Sequence, residues 1–218
     1  MKYLKSIKIK QRTTHLLLAI AEYRIKNPRA FIIIQSILIG LITGIVSVLL
    51  KNIVHFTGRE LYKNSSPTHP QFLYLALPGM GILLTVLYLK YFIKDDISHG
   101  ISKVLKSISK NYSRIKFHNT YSSVISSTLT VGFGGSVGLE APIVYTGSAV
   151  GSNLGGFFRQ DYKTTSLLLA CGAAGAIAGI FKAPIAATIF ALEVLMIDLS
   201  MWSIIPLLLA SVSGALVS

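Results

Sequence analysis

Charged residues fall in blocks along this chain, and between the blocks lie long stretches that carry no charge at all. Uncharged runs cover Ala30 to Leu50, Gln71 to Leu89, Phe117 to Leu139, Ala141 to Phe158, Thr164 to Phe181 and Leu199 to Ser218. Each is near the roughly 20 residues that a helix needs to cross a bilayer core. The runs do not alternate apolar with polar, whereas a transmembrane barrel needs alternating segments of about 10 residues. The pattern therefore predicts an all-α, polytopic membrane protein. Residues 11 to 26, QRTTHLLLAIAEYRIK, read as an amphipathic helix that Lys26-Asn27-Pro28 breaks before the first span. Residues 64 to 71, NSSPTHPQ, read as a turn-rich loop.

Composition agrees: 52% of the 218 residues are hydrophobic and only 13% are charged, with a mean hydropathy of +0.62, outside the range of soluble domains. A net charge of +13 raises the question of nucleic acid, but its distribution answers it. Eight Lys/Arg lie in residues 1 to 29 and seven between Lys90 and Lys116, all flanking apolar spans. No folded basic module with aromatic platforms is present to hold a nucleic acid. By the positive-inside rule both blocks are cytosolic, two crossings apart, and Lys51 to Pro70 faces outside. Residues 1 to 29 are then a cytosolic basic segment and residues 30 to 218 a membrane domain in the plasma (inner) membrane. The late first apolar run, with no small-residue cleavage pattern, argues against a signal peptide. The single cysteine, Cys171, sits among Leu, Ala and Gly and reads as a small packed core residue.

From Gly132 to Gly179 the spans are crowded with small residues. Gly147, Gly151 and Gly155 recur every fourth position, which aligns them on one helix face for close backbone approach, and Gly175 and Gly179 repeat the spacing. Several runs are also interrupted, with Glu140 and Pro142 between two of them and Glu193 breaking another. Interrupted helices expose free N–H groups at membrane depth, as transporters and channels require.

Glu140 is the only charge between Phe117 and Phe158. Gly134, Gly135 and Gly138 permit tight backbone before it, and Pro142 suits the first turn of a helix, so a helix is expected to start near Glu140 inside the membrane. Its N-terminus is an anion site. An ionised carboxylate at bilayer depth costs about 2.5 to 3.5 kcal/mol, and a helix N-terminus returns up to roughly 2 kcal/mol. That near-balance suits a gate, in which a passing anion displaces the acid or a proton neutralises it. The plainer alternative is that Glu140 only caps its helix. Gly134-Gly135-Ser136-Val137-Gly138 also fits the G-x-S-x-G nucleophile elbow, but no histidine follows His118 to serve as base. An enzyme is not expected, and nothing in the sequence asks for a cofactor or a metal.

These residues resemble the CLC family of chloride channels and chloride/proton antiporters. Residues 138 to 142, GLEAP, are similar to the family's G-K/R-E-G-P signature, and VYTGSAVGSNLG and GAAGAIAGIFKAPIAATIFALE resemble the helices that follow, including Ala183 and Pro184. Residues 98 to 102, SHGIS, resemble more loosely the G-S-G-I-P anion-binding loop. The resemblance covers about Ala30 to Ser218. It implies interrupted and re-entrant helices, the first half of a CLC-type inverted repeat, and a homodimer with a pore in each subunit that carries chloride or a similar small anion. It implies Glu140 as the gate, with His99, Gly100, Ile101, Gly138, Leu139, Glu140 and Ala141 about the anion, and residues 183 to 218 near the dimer interface.

The departures are specific. The signature's basic residue is Leu139 and its second glycine Ala141, which weakens the local positive field. His99 stands for the serine that donates to the anion, and is either a pH-sensitive donor or a bystander. Ser102 replaces a proline. The antiporters' proton-relaying glutamate, one residue after Glu193, is Val194, which favours passive conduction over exchange; Glu193 itself is expected to make a helix-end contact. The family's second half-repeat, which completes the anion site, is not within the 218 residues. A longer protein, an assembly of two chains and an inactive product are the alternatives, the first being preferred.

Overall fold

The computed structural model describes residues 27–63, 72–93, 100–196 and 200–218, and every regular element among them is helical. Helix α1 spans Pro28–Lys63, α2 Phe72–Tyr88 with a π turn at Leu89–Ile93, α3 Gly100–Lys110 and α4 Asn119–Gly132. Helix α5 spans Glu140–Phe157, α6 Tyr162–Phe181, α7 Pro184–Val194 and α8 Met201–Val217. Among the described residues, three stretches are long and apolar enough to cross a membrane: Pro28–Leu61, Ala76–Ile93 and Tyr162–Phe181. The amphipathic segment expected at 11 to 26 and the loop at 64 to 71 lie outside the described residues, as does His99.

Helix α6 is the centre of the packing, bordered by α1, α5, α7 and α8. Leu168, Leu169, Cys171, Ala173, Ala174 and Ala178 on it are fully buried, so Cys171 is the packed core residue its neighbours predicted. The glycine spacing explains how α6 is surrounded so closely. Gly147, Gly151 and Gly155 of α5 lie against Gly172, Leu168 and Thr165 of α6, so the predicted stripe is the α5–α6 seam. Gly175 and Gly179 face away from that seam, toward Gly40 and Gly44 of α1, with Gly214 of α8 against Gly175. Small residues bring backbones together where lipid gives little apolar drive, and hydroxyls then bridge them. Ser47 Oγ of α1 donates to the Ala176 carbonyl at 2.9 Å, and Thr188 and Ser211 join α7 to α8 at 2.8 Å.

Two boundaries differ from the hydrophobic pattern. Lys51 does not end the first helix, which runs on to Lys63; at 1.5 Å per residue its 36 residues reach ~54 Å, more than a ~30 Å core requires. The run from Phe117 to Leu139 is not one span. Its helix stops at Gly132, and residues 133 to 139 are non-helical. They fold back along α4: Gly135 donates its N–H to the Thr130 carbonyl at 2.9 Å, and Ser123 Oγ to that of Pro142 at 3.3 Å. Helix α5 therefore begins beside the second turn of α4 rather than beyond its end, a re-entrant course that Gly134, at φ 91°, makes possible.

Candidate functional site

Helix α5 starts at Glu140, with Leu139 as its N-cap and Pro142 in its first turn, as the sequence indicates. The first intrahelical bond runs from the Ile143 N–H to the Leu139 carbonyl at 3.1 Å. The N–H groups of Glu140 and Ala141 precede it and have no acceptor within the helix, and Pro142 has no N–H to offer. Leu139 makes no side-chain cap bond that would take them.

The first residue of α3 meets this turn. A Cβ built on Gly100 would lie 2.6 Å from the Ala141 carbonyl oxygen and 3.4 Å from Tyr145 Cβ, so the two helix starts touch through backbone. Beside the contact is a cleft of about 300 Å³ that Gly100, Gly138, Ala141 and Pro142 line. Helix α4 gives it a polar wall: Asn119, Ser122, Ser123 and Ser126 recur at three- and four-residue spacing along one face. Leu89, Ile93 and Val137 supply apolar lining, and Lys103 and Tyr145 close one side. The N-terminus of α4 is not an open donor set, because turn carbonyls of Lys116, Phe117 and His118 accept its first N–H groups. The open start of α5, the neighbouring start of α3, a hydroxyl-bearing wall and a lysine form an environment suited to a small anion.

Of the residues expected about the anion, Gly100, Gly138 and Ala141 line this one cleft, and Glu140, which lies between the last two in sequence, is not among its lining residues. Ile101 and Leu139 are placed otherwise. Ile101 packs against the main apolar core, and Leu139 against the cluster of Leu50, Ile143 and Ala176, and neither lines the cleft. The Glu140 side chain is exposed on the surface of the described helices. The non-helical return of residues 133 to 139 leads into the helix start, and Gly138, lacking a side chain, leaves room for the carboxylate. A Cβ on Gly138 would lie 3.2 Å from Glu140 Oε2.

Other residues also fall away from the site. Glu193 is exposed in the last turn of α7, and among the described residues it forms no hydrogen bond or ion pair. Its carboxylate sits at the unfavourable end of a helix dipole. Ser136 follows a helix rather than the strand that a nucleophile elbow requires. Ser102 is exposed. Sequence reasoning overlooked Asn119, Ser122, Ser126, Lys103 and Tyr145; the serine periodicity of NTYSSVISST was the available signal for the first three. A larger cleft, of about 520 Å³, lies elsewhere, walled by Ile32, Leu167 and Trp202, and takes in none of the sequence-predicted site residues.

Comparison with known proteins gives a consistent picture. Residues 80–218 match the family described as voltage gated chloride channel. A putative chloride channel protein ClcB-like from Ralstonia nicotianae is 29% identical over 147 residues, covering 66% of this chain and 34% of that protein. The H(+)/Cl(-) exchange transporter ClcA of Vibrio cholerae is 26% identical over 168 residues, covering 74% and 36%. Among solved structures, a CLC-type fluoride/proton antiporter superposes with a TM-score of 0.71 at 31% identity, over 86% of this chain and 46% of that one. A slow cyanobacterial Cl-/H+ antiporter shares the fold, with a TM-score of 0.73 at 22% identity, over 85% and 45%. The chain therefore spans less than half the length of these proteins.

Proposed function

Because the chain belongs to the voltage-gated chloride channel family, we propose that it forms the first half of a CLC-type anion pathway, with the Glu140 carboxylate as its gate. The meeting of the α3 and α5 starts, Gly100 against Ala141, across one polar cleft carries the reading. An anion there accepts from the backbone N–H groups of Gly100, Ile101, Glu140 and Ala141. Gly138 and Leu139 shape the turn that presents those of α5. With its side chain exposed, Glu140 leaves those donors accessible; a rotation about its side-chain bonds brings the carboxylate onto them in place of the anion. Helix-end stabilisation of up to roughly 2 kcal/mol against a burial cost of about 2.5 to 3.5 kcal/mol keeps the two positions close in energy.

In this reading residues 1 to 29 are a cytosolic basic segment, residues 30 to 218 lie in the plasma (inner) membrane, and two copies pair as a homodimer. Chloride conduction is passive, since Val194 holds no proton. Anion/proton exchange is the second reading, favoured by the exchange activity named for the Vibrio relative and for both structural neighbours. The fluoride named for one of them makes that anion the first alternative to chloride.

The test is anion efflux from liposomes holding the full-length protein. Efflux without proton movement under a chloride gradient, altered by Glu140→Gln, supports a gated conductor. Proton movement against its gradient establishes the second reading. Efflux indifferent to Glu140→Gln overturns the gate.

A further inference from the structure

We infer that Asn119 and Ser122 of α4 are the side-chain donors that hold a small anion in the cleft, opposite the backbone donors of the α5 start; the inference rests on the Glu140 cleft being the anion path. Both residues line the cleft. Both are buried, each at 5% exposure, yet among the described residues neither side chain makes a hydrogen bond. Buried amides and hydroxyls are nearly always paired, because an unpaired one has given up water for nothing. These two need a partner that the chain's own atoms do not supply.

The rest of α4 shows that this is not the habit of the helix. Ser126 and Ser127 donate to the Ser123 carbonyl, Thr128 to that of Val124 and Thr130 to that of Ser126, the usual return of a short hydroxyl to the preceding turn. Ser123 donates across to the Pro142 carbonyl at 3.3 Å. Ser122 does neither. Thr120, whose hydroxyl also lacks a partner, does not line the cleft. Nor is the Asn119 carboxamide spent on capping. The Asn119 N–H donates to the Lys116 carbonyl at 3.1 Å and that of Ser122 to the His118 carbonyl at 3.0 Å, so the preceding turn already serves the helix start.

Residues three apart share a helix face, so Asn119 and Ser122 stand one above the other. Helix α5 runs back along α4, with Gly135 bonded to Thr130 and Pro142 to Ser123, which brings the first turn of α5 beside them. In that turn the N–H groups of Glu140 and Ala141 have no acceptor within the helix. An anion in the cleft accepts from this turn on one side and from the carboxamide and hydroxyl on the other. Neutral donors replace the water it sheds without holding it too tightly to leave.

The experiment uses the full-length protein in liposomes, with initial chloride efflux measured over a range of chloride concentrations at constant ionic strength. Ser122→Ala and Asn119→Leu are each expected to raise the half-saturating concentration roughly tenfold, as loss of a hydrogen bond to a charged group does, with a smaller change in maximal rate. Ser122→Thr, which keeps the hydroxyl, is expected to stay within about threefold of the native value. Ser127→Ala removes a buried α4 hydroxyl that is not on the cleft and is expected to leave half-saturation alone. Where one of the two cleft variants fails to fold, the other decides. Half-saturation unchanged in both, while Glu140→Gln still alters efflux, overturns the inference, assigns the two groups to water and leaves the gate standing. A fall in maximal rate shared with Ser127→Ala, at constant half-saturation, marks a packing role and overturns it too. Raised half-saturation beside indifference to Glu140→Gln supports the anion site and removes the gate.

Discussion

Gly100 at the start of α3 lies directly on the carbonyl oxygen of Ala141 in the first turn of α5; a Cβ on Gly100 would be 2.6 Å from that oxygen. Nothing flexible stands between them, since the near atoms are backbone. The site's geometry depends on this one contact between segments about forty residues apart in sequence.

Gly100→Ala is therefore expected to act against its own propensity. In an open helix the change stabilises by up to about 1 kcal/mol. Here the methyl must push α3 away from α5, at about 1–3 kcal/mol, and efflux is expected to fall at least tenfold. Thermal unfolding in detergent, read beside liposome efflux, checks both signs.

Gly138→Ala tests the gate from a neighbouring position. The new methyl would stand 3.2 Å from Glu140 Oε2, crowding the carboxylate where it now sits and favouring its turn onto the helix start. Efflux is expected to fall severalfold in the native background and to be unchanged in a Glu140→Gln background, where no charged gate remains to be moved. Equal losses in both backgrounds would show that the methyl acts on the backbone and not on the acid.

Gly151→Leu addresses the α5–α6 seam. Gly151 packs on the backbone of Leu168 and Leu169, so four added carbons have no space without parting the helices. The expected result is loss of folded protein, measured as the monodisperse fraction in detergent. Gly58→Leu, at a position with open space around it, is the matched control.

Ser47→Ala removes the hydroxyl that joins α1 to the Ala176 carbonyl of α6 at 2.9 Å. Hydrogen bonds between membrane helices contribute about 0.6 kcal/mol on average and up to about 1.7 kcal/mol. A loss in that range, read from thermal unfolding in detergent, is expected, with efflux retained.

Lys182→Gly is expected to stabilise. Lys182 ends α6 at φ 54°, in the left-handed region that glycine occupies freely at helix ends. Relief of that strain is worth about 1 kcal/mol, and the same unfolding measurement should move upward.

The sequence by itself determined the helical class and several helix starts and seams. Glycines before an acid and a proline in the first turn are local signals, and α5 begins at Glu140 accordingly. Ala183-Pro184 likewise marks the start of α7, because proline fits a first turn and cannot continue the preceding helix. Four-residue glycine spacing selects a helix face without reference to the partner, and the α5 stripe is the face that meets α6. The end of the first helix was not legible: Lys51, to which the charge pattern assigned a boundary, is exposed on a helix that runs past it. Only the tertiary structure decided which faces meet around Glu140. Leu139, one residue from the acid, turns into an apolar cluster, while Lys103, far off in sequence, enters the cleft. Periodicity places residues on a face of their own helix. The crossing of α3 over α5, and the return of residues 133 to 139 along α4, arise from backbone contacts between distant segments, which no local pattern encodes.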